Sequence, residues 1–216
     1  MKHHFSCIPF YDILTEQEQI CFIENCSVVD FDCREAVFKQ GSFAVNIYII
    51  LEGYCKLTFQ TNEKKRIVFI PHKGEMIGKD YMVKTHYPYS VHTLTKTKLM
   101  IIPKTFLNDI CLRNPDFYVK LTQMSESNML KTMEWMINLG FKNIEGAVAM
   151  FLMKFCNTEY RNIDLSRTEI AEVIGYSRES VIHTLKKFVS ENLISTKGKE
   201  IHVIDREKLE EIIKYS

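Results

Sequence analysis

Between Ser177 and Lys199 the chain carries side chains suited to reading a nucleic-acid duplex. In the run Ser177-Arg178-Glu179-Ser180-Val181-Ile182-His183-Thr184-Leu185-Lys186-Lys187-Phe188-Val189, apolar residues fall at Val181, Leu185, Phe188 and Val189. Those positions are i, i+4, i+7 and i+8, which line one face of a helix. Ser177 supplies an N-cap. The remaining face holds Arg178, Glu179, Ser180, Ile182, His183 and Lys186, with Lys187 beside them. An arginine can donate two parallel hydrogen bonds to a guanine edge, and a carboxylate can accept from a cytosine amino group. Lysine suits phosphates. Further on, Lys197-Gly198-Lys199 lies between Leu193-Ile194-Ser195-Thr196 and Glu200-Ile201-His202-Val203-Ile204. That reads as a hairpin with a basic tip. The candidate DNA contacts are therefore Ser177, Arg178, Glu179, Ser180, Ile182, His183, Lys186, Lys187, Lys197 and Lys199.

A helix in a groove needs a partner helix to hold it. Just upstream, Ser166 and Glu169 form a capping box. Ile170, Ala171 and Ile174 would be that helix's inward face, and Gly175 would end it. A small Ala171, a turn at Gly175 and Val181 packing back make a helix-turn-helix, whose second helix reads the major groove. The bland alternative is a helical hairpin with solvated charges. The caps, the basic face and the hairpin together favour a winged helix-turn-helix on double-stranded DNA.

Upstream elements follow the same reasoning. A helix is expected over 145–156, and a long one from Asp116 to about Leu139, a span without Pro or Gly. Its apolar residues Phe117, Leu121, Met124, Met129, Met133, Met136 and Ile137 form a roughly heptad stripe. That stripe is expected at a two-fold dimer seam. From about Val28 to Ile102, short β-branched and aromatic runs alternate with turn residues: 46–51, 54–59, 66–70, 90–95 and 98–102. Such spacing suggests an antiparallel sandwich or barrel. Thr15 and Glu18 make a capping box for a helix over 15–26.

The bulk properties set limits. Lys and Arg number 28 against 27 Asp and Glu, a net charge of +1, so DNA affinity must come from local clustering. No apolar run is long enough to span a membrane. The segment Met1-Lys2-His3-His4-Phe5-Ser6-Cys7 lacks a signal-peptide core, so a cytoplasmic location is expected. Seven dispersed Cys (7, 21, 26, 33, 55, 111 and 156) argue against a disulfide framework. No G-x-S-x-G, P-loop, H-E-x-x-H or C-x-x-C motif occurs, and no enzyme is expected.

Ser177-Arg178-Glu179-Ser180-Val181, Leu185-Lys186-Lys187 and Asn192-Leu193-Ile194-Ser195 resemble the cyclic-AMP receptor/fumarate-nitrate reductase regulator (Crp–Fnr) family. Gly41 through Gly53, with Tyr48-Ile49-Ile50-Leu51-Glu52-Gly53, resembles the jelly-roll repeat of cyclic-nucleotide-binding domains. Lys73-Gly74-Glu75-Met76-Ile77-Gly78 resembles the opening of that domain's phosphate-binding cassette. The resemblance spans essentially the whole chain. It implies an α+β protein: an antiparallel β-roll sensor (1–114), a long dimerisation helix (115–139) and a winged helix-turn-helix (140–216). It further implies a homodimer on a palindromic operator, with RNA polymerase as a protein partner.

The departures are informative. Lys79 stands where the cyclic-nucleotide binders in this family have a ribose-holding Glu, and the place of their Arg-Ser pair falls near Tyr87-Pro88. No Arg lies between Arg66 and Arg113, so a cyclic phosphate would lack its bidentate partner. The effector is therefore expected to be something other than cyclic AMP. Gly78, Lys79, Tyr87 and Ser90 are the candidate ligand-binding residues, with Lys79 and Lys84 expected as solvated surface lysines that could alternatively hold another anion. The family includes iron–sulfur and haem sensors, but the spacing Cys21-x4-Cys26-x6-Cys33 is loose for a cluster, and the seven His form no haem motif. No cofactor is expected. The alternative function is a sensor in which a Cys or a non-nucleotide anion in the β-roll controls DNA binding. The family often has Glu-x3-Arg in the recognition helix; here His183 follows Glu179, which implies a related but different half-site.

Overall fold

The computed structural model describes residues 8, 10–79, 84–156 and 165–216. The chain forms two compact units, one of residues 1–64 and 68–131, the other of 65–67 and 132–216.

In the first unit, the Thr15 hydroxyl accepts from the Glu18 amide while the Glu18 carboxylate accepts from the Thr15 amide at 2.8 Å, opening helix α1 (Glu16–Asn25). Strands β1 (Ser27–Phe31), β8 (Thr97–Pro103), β3 (Asn46–Glu52) and β6 (Met76–Ile77) form one sheet in that order. Strands β2 (Ala36–Phe38), β7 (Ser90–Thr93), β4 (Cys55–Gln60) and β5 (Lys65–Phe69) form the other. β3 and β8 run antiparallel, Ile47 facing Ile102 and Ile49 facing Met100. β3 reads almost continuously apolar because both of its faces are covered. Ile47, Ile49 and Leu51 pack with Met76, Met100 and Ile102 against Phe22 and the helices that follow β8. Tyr48 and Ile50 pack with Leu99 against Phe38, Leu57 and Val91 of the second sheet. The two-residue alternation of a strand thus divides β3 between two cores. Gly53 then turns the chain at φ +88°; a Cβ there would lie 2.5 Å from the Lys96 carbonyl oxygen, so only glycine fits.

Helix α2 (Lys104–Arg113) follows β8 directly. Asn114 ends it and begins the next helix: its backbone N–H donates to the Ile110 carbonyl at 2.8 Å, while its side-chain oxygen accepts from the Phe117 amide at 2.9 Å. Pro115 then occupies the first position of α3 (Pro115–Gly140), where its missing N–H costs nothing. The long helix is present as expected, but its apolar stripe divides. Phe117 and Leu121 are buried in the first unit's own core, with Met124 packed beside them. Phe117 and Leu121 are therefore unavailable to a dimer seam, a correction to the expectation for the full stripe, while Met124 is only partly buried. Met129, Leu130, Met133, Met136 and Ile137 remain 49–62% exposed.

In the second unit, Asn143 caps α4 (Ile144–Phe155) by accepting from the Gly146 amide at 3.0 Å. Helices α5 (Arg167–Ile174) and α6 (Arg178–Ser190) precede a hairpin of β9 (Ile194–Lys197) and β10 (Glu200–Val203). A final helix α7 (Arg206–Tyr215), capped by Asp205 with Leu209 buried, packs against α4. The Lys142 ammonium donates to the Ile213 carbonyl near its C-terminal end at 2.5 Å. Trp135, late in α3, meets the Phe155 ring edge-on, and the Lys154 ammonium lies 4.2 Å from the Trp135 ring centroid.

Candidate nucleic-acid interface

The Ser166 hydroxyl accepts from the Glu169 amide at 3.2 Å and the Glu169 carboxylate accepts from the Ser166 amide at 2.8 Å, so α5 begins as expected. It ends at Gly175, whose left-handed φ of +81° permits the sharp turn. The turn is fixed by Tyr176, whose hydroxyl donates to the Lys142 carbonyl at 2.6 Å. Ser177 caps α6 by accepting from the Ser180 amide at 3.1 Å. Val181, Thr184, Leu185 and Phe188 form the buried face of α6. Val189, expected on that face, lies at its edge and is 38% exposed.

The opposite face is the candidate interface. Arg178, Glu179, His183 and Lys186 are exposed; Ser180 and Ile182 are half-buried beside them. Lys187 departs from the expectation. Its ammonium sits 2.6 Å from the Glu145 carboxylate in the first turn of α4, and that hydrogen bond raises its pKa. It braces α6 against α4, a long-range contact between residues far apart in the chain. Lys186 is left as the lysine of this helix that faces solvent.

Helix α6 ends in a Schellman motif. The Leu193 amide donates to the Phe188 carbonyl at 2.9 Å and the Asn192 amide to the Val189 carbonyl at 3.1 Å, with Asn192 at φ +57°. Phe188 and Leu193 are both buried, the apolar contact that accompanies this motif. The motif directs the chain into β9. The hairpin closes on Lys197 facing Glu200, with Gly198 at φ +63° as first central residue. Lys197 and Lys199 are exposed at its tip. The sequence reading missed Arg167: its guanidinium donates to the Lys199 carbonyl at 3.2 Å and the Gly198 carbonyl at 3.3 Å. Its only local signal is a basic residue at a helix start, where the dipole disfavours one.

The candidate effector residues are placed differently from one another. Gly78 is buried with φ +89°. Lys79, expected to be solvated, is buried at 4% exposure, because the turn at Gly78 directly follows the two buried residues of β6 and keeps the chain inside. Lys84 is exposed. Burial pushes the Glu75 carboxyl up, while His72, Lys131 and Lys79 pull against that shift. Tyr87 is packed into the roll: its hydroxyl donates to the Asn46 carbonyl at 2.5 Å and accepts from the Asn46 amide at 3.2 Å. Its ring stacks on Phe38 with centroids 3.8 Å apart. The Ser90 hydroxyl accepts from the Gln40 amide at 2.9 Å. Tyr87 and Ser90 thus serve the scaffold.

Burial pushes the Cys26 and Cys55 thiols up to about 12 and Cys156 to about 11. Cys7 lies outside the described residues. Among the described residues, no group of three or more His, Cys, Asp or Glu side chains could hold a metal ion. Nor, among them, is any helix long and apolar enough to cross a membrane.

Two family models match this chain. The cyclic nucleotide-binding domain matches residues 28–114, and the Crp-like helix-turn-helix domain matches residues 146–212. The cAMP-activated global transcriptional regulator CRP of Salmonella typhimurium is 25% identical over 192 residues, covering 84% of this chain and 91% of that protein. The transcriptional activator protein Anr of Pseudomonas protegens is 25% identical over 182 residues, covering 79% and 74%. A putative transcriptional regulator of the crp/fnr family from Eubacterium rectale shares the fold at a TM-score of 0.82 and 16% identity, over 97% of this chain and 99% of that one. The c-di-GMP responsive regulator CLP of Xanthomonas campestris does so at 0.76 and 18%, over 88% and 99%.

Proposed function

The chain belongs to the Crp–Fnr family of DNA-binding transcription regulators, which are not enzymes, and we propose that it acts as a cytoplasmic homodimer on a palindromic operator. In this reading residues 1–114 are the effector domain, 115–139 the dimerisation helix and 140–216 the DNA-binding domain, with RNA polymerase as partner on the promoter. The carrying observation is the exposed face of α6, Arg178, Glu179, His183 and Lys186, on a helix fixed at both ends and flanked by a basic hairpin. Arg178 and Glu179 in the first turn read base edges; Lys186, Lys197 and Lys199 meet phosphates. Ser177, Ser180, Ile182 and His183 complete the contact surface. Selection of bound duplexes from a random pool by the full chain tests the reading. The expected product is an inverted repeat with half-sites one DNA turn, about 34 Å, apart. No enrichment, or a single unrepeated site, would overturn it.

The effector in this reading is not cyclic AMP. Lys79 replaces the ribose-holding Glu, no Arg is available for the phosphate, and Tyr87 is committed to Asn46 and Phe38. Calorimetry should detect no micromolar binding of cyclic AMP; a clear isotherm would refute this. A small-anion effector is the alternative ligand reading, with Gly78 and Lys79 as its candidate residues. Control by thiol oxidation is the alternative: burial keeps Cys26, Cys55 and Cys156 protonated, which leaves the exposed Cys33 as its candidate.

A further inference from the structure

We propose that Arg167 is a positioning residue for DNA binding, acting through the hairpin rather than on the DNA: its guanidinium clamps the hairpin tip and so holds Lys197 and Lys199 where phosphates will be. The inference rests on the DNA-binding reading above. An isolated two-stranded hairpin is marginal in water. This one has four residues per strand, and Ser195, Thr196, Lys197, Glu200 and His202 are all exposed. Its root is fixed by Leu193 and by the Ile204 amide, which donates to the Leu193 carbonyl at 2.9 Å. Its tip is fixed by Arg167. The two acceptors, Gly198 and Lys199, are the two central residues of the turn, whose carbonyls have no partner in the hairpin ladder. A planar guanidinium offers donors in a fixed fork and can reach both carbonyls at once; an ammonium is a single flexible point charge.

The placement of Arg167 has no reason within its own helix. It is the first residue of α5, where a cation opposes the helix dipole. The lysines it organises carry their positive charge on long, rotamer-rich side chains. Ordering their backbone before DNA arrives removes part of the entropy that association would otherwise have to overcome. Arg167 therefore acts at a distance from the duplex, and its effect passes through Lys197 and Lys199.

The test uses the full chain, an operator from the selection described above, and the variants Arg167→Lys, Arg167→Gln and Lys197→Ala/Lys199→Ala. Hydrogen exchange of the 194–203 segment is measured without DNA, and operator affinity at two salt concentrations. Arg167→Lys keeps the charge and loses the fork. Exchange in the hairpin should rise several-fold in both Arg167 variants, and affinity should fall about tenfold, the loss expected for one or two charge-assisted hydrogen bonds. In the Lys197→Ala/Lys199→Ala background, Arg167→Gln should cost less than about twofold, since coupled sites are not additive. Unchanged hairpin exchange, or a full additive loss in that background, would overturn the proposal. Full recovery of affinity by Arg167→Lys would instead mark a direct phosphate contact, and would equally overturn it. A wild-type chain that binds no duplex at all would refute the DNA-binding reading itself.

Discussion

Met133 lies near the centre of the exposed apolar run of α3 and is 49% exposed, with Leu130 and Ile137 on the adjoining turns. In a parallel seam about a two-fold axis, a central position meets its own copy, so any substitution is felt twice. Burying the exposed half removes about 100 Å² of apolar surface per copy from water, worth about 2.5 kcal/mol at about 25 cal/mol per Å². Two copies give about 5 kcal/mol. The stem of a lysine would recover part of that by lying along the seam, leaving about 3 kcal/mol before any repulsion between the two ammonium groups. Met133→Lys should therefore raise the dimer dissociation constant at least about 100-fold. Helix propensity changes little, since Lys and Met are close on that scale, so the circular dichroism of the fold should persist. Sedimentation equilibrium across a dilution series reads the outcome. A variant with the wild-type dissociation constant, or a wild-type protein that is monomeric at micromolar concentration, would show that this face of α3 is not the seam.

Three further outcomes are expected. Glu179→Ala should relax base preference at one position per half-site and cost about 1–3 kcal/mol on the best operator, whereas Lys186→Ala should weaken all sequences alike and flatten the salt dependence; a panel of single-base operator variants separates the two. Asn192→Val should destabilise the second unit by about 1 kcal/mol or more, since a β-branched residue tolerates φ +57° poorly, while Asn192→Gly should be neutral or stabilising; thermal melts of the two variants decide it, and equal melting temperatures would discount the Schellman cap. Cys26, Cys55 and Cys156 should resist alkylation at neutral pH in the folded chain. Their raised values mean that the unfolded thiols ionise first, from the ordinary value of 9.0, so stability should fall as pH climbs from there towards about 11 to 12. Rapid labelling of all three at neutral pH would contradict their burial.

Local signals were readable in the chain and distant ones were not. The capping boxes of Thr15 with Glu18 and Ser166 with Glu169, the turn at Gly175 and the cap at Ser177 each depend on residues three or four apart, and each stands where the spacing placed it. The strands at 46–52, 55–60, 65–69 and 97–103 were visible for the same reason. The two-residue β6, too short to show a period, was not, and neither was α7, whose highly charged sequence hides the single buried Leu209. Site details failed where the deciding contact is remote. Lys187 finds Glu145, Tyr87 finds Asn46 and Arg167 finds the hairpin tip, each across more than thirty residues. Lys79 was misjudged because lysine is seldom buried, and only the turn at Gly78 after β6 keeps it inside.

A strand with one oily face keeps its register because sliding by a single residue would turn that face to water. β3 has this safeguard only at its polar ends, Asn46 and Glu52. Apolar side chains point both ways from it, so a slipped β3 would still bury hydrophobic atoms on each side, and hydrophobicity alone hardly distinguishes the right alignment from its neighbour. What distinguishes them is fixed at the strand's two ends: the Tyr87 hydroxyl, which grips the backbone of Asn46, and the crowded turn at Gly53, which accepts no other residue. Tyr87 therefore helps to hold β3 in register, alongside the polar Asn46 and Glu52 that bound its buried run. A chain with Tyr87→Phe should still collapse and form sheet, but some of its molecules should settle one residue out of alignment, with Tyr48 turned towards the helices.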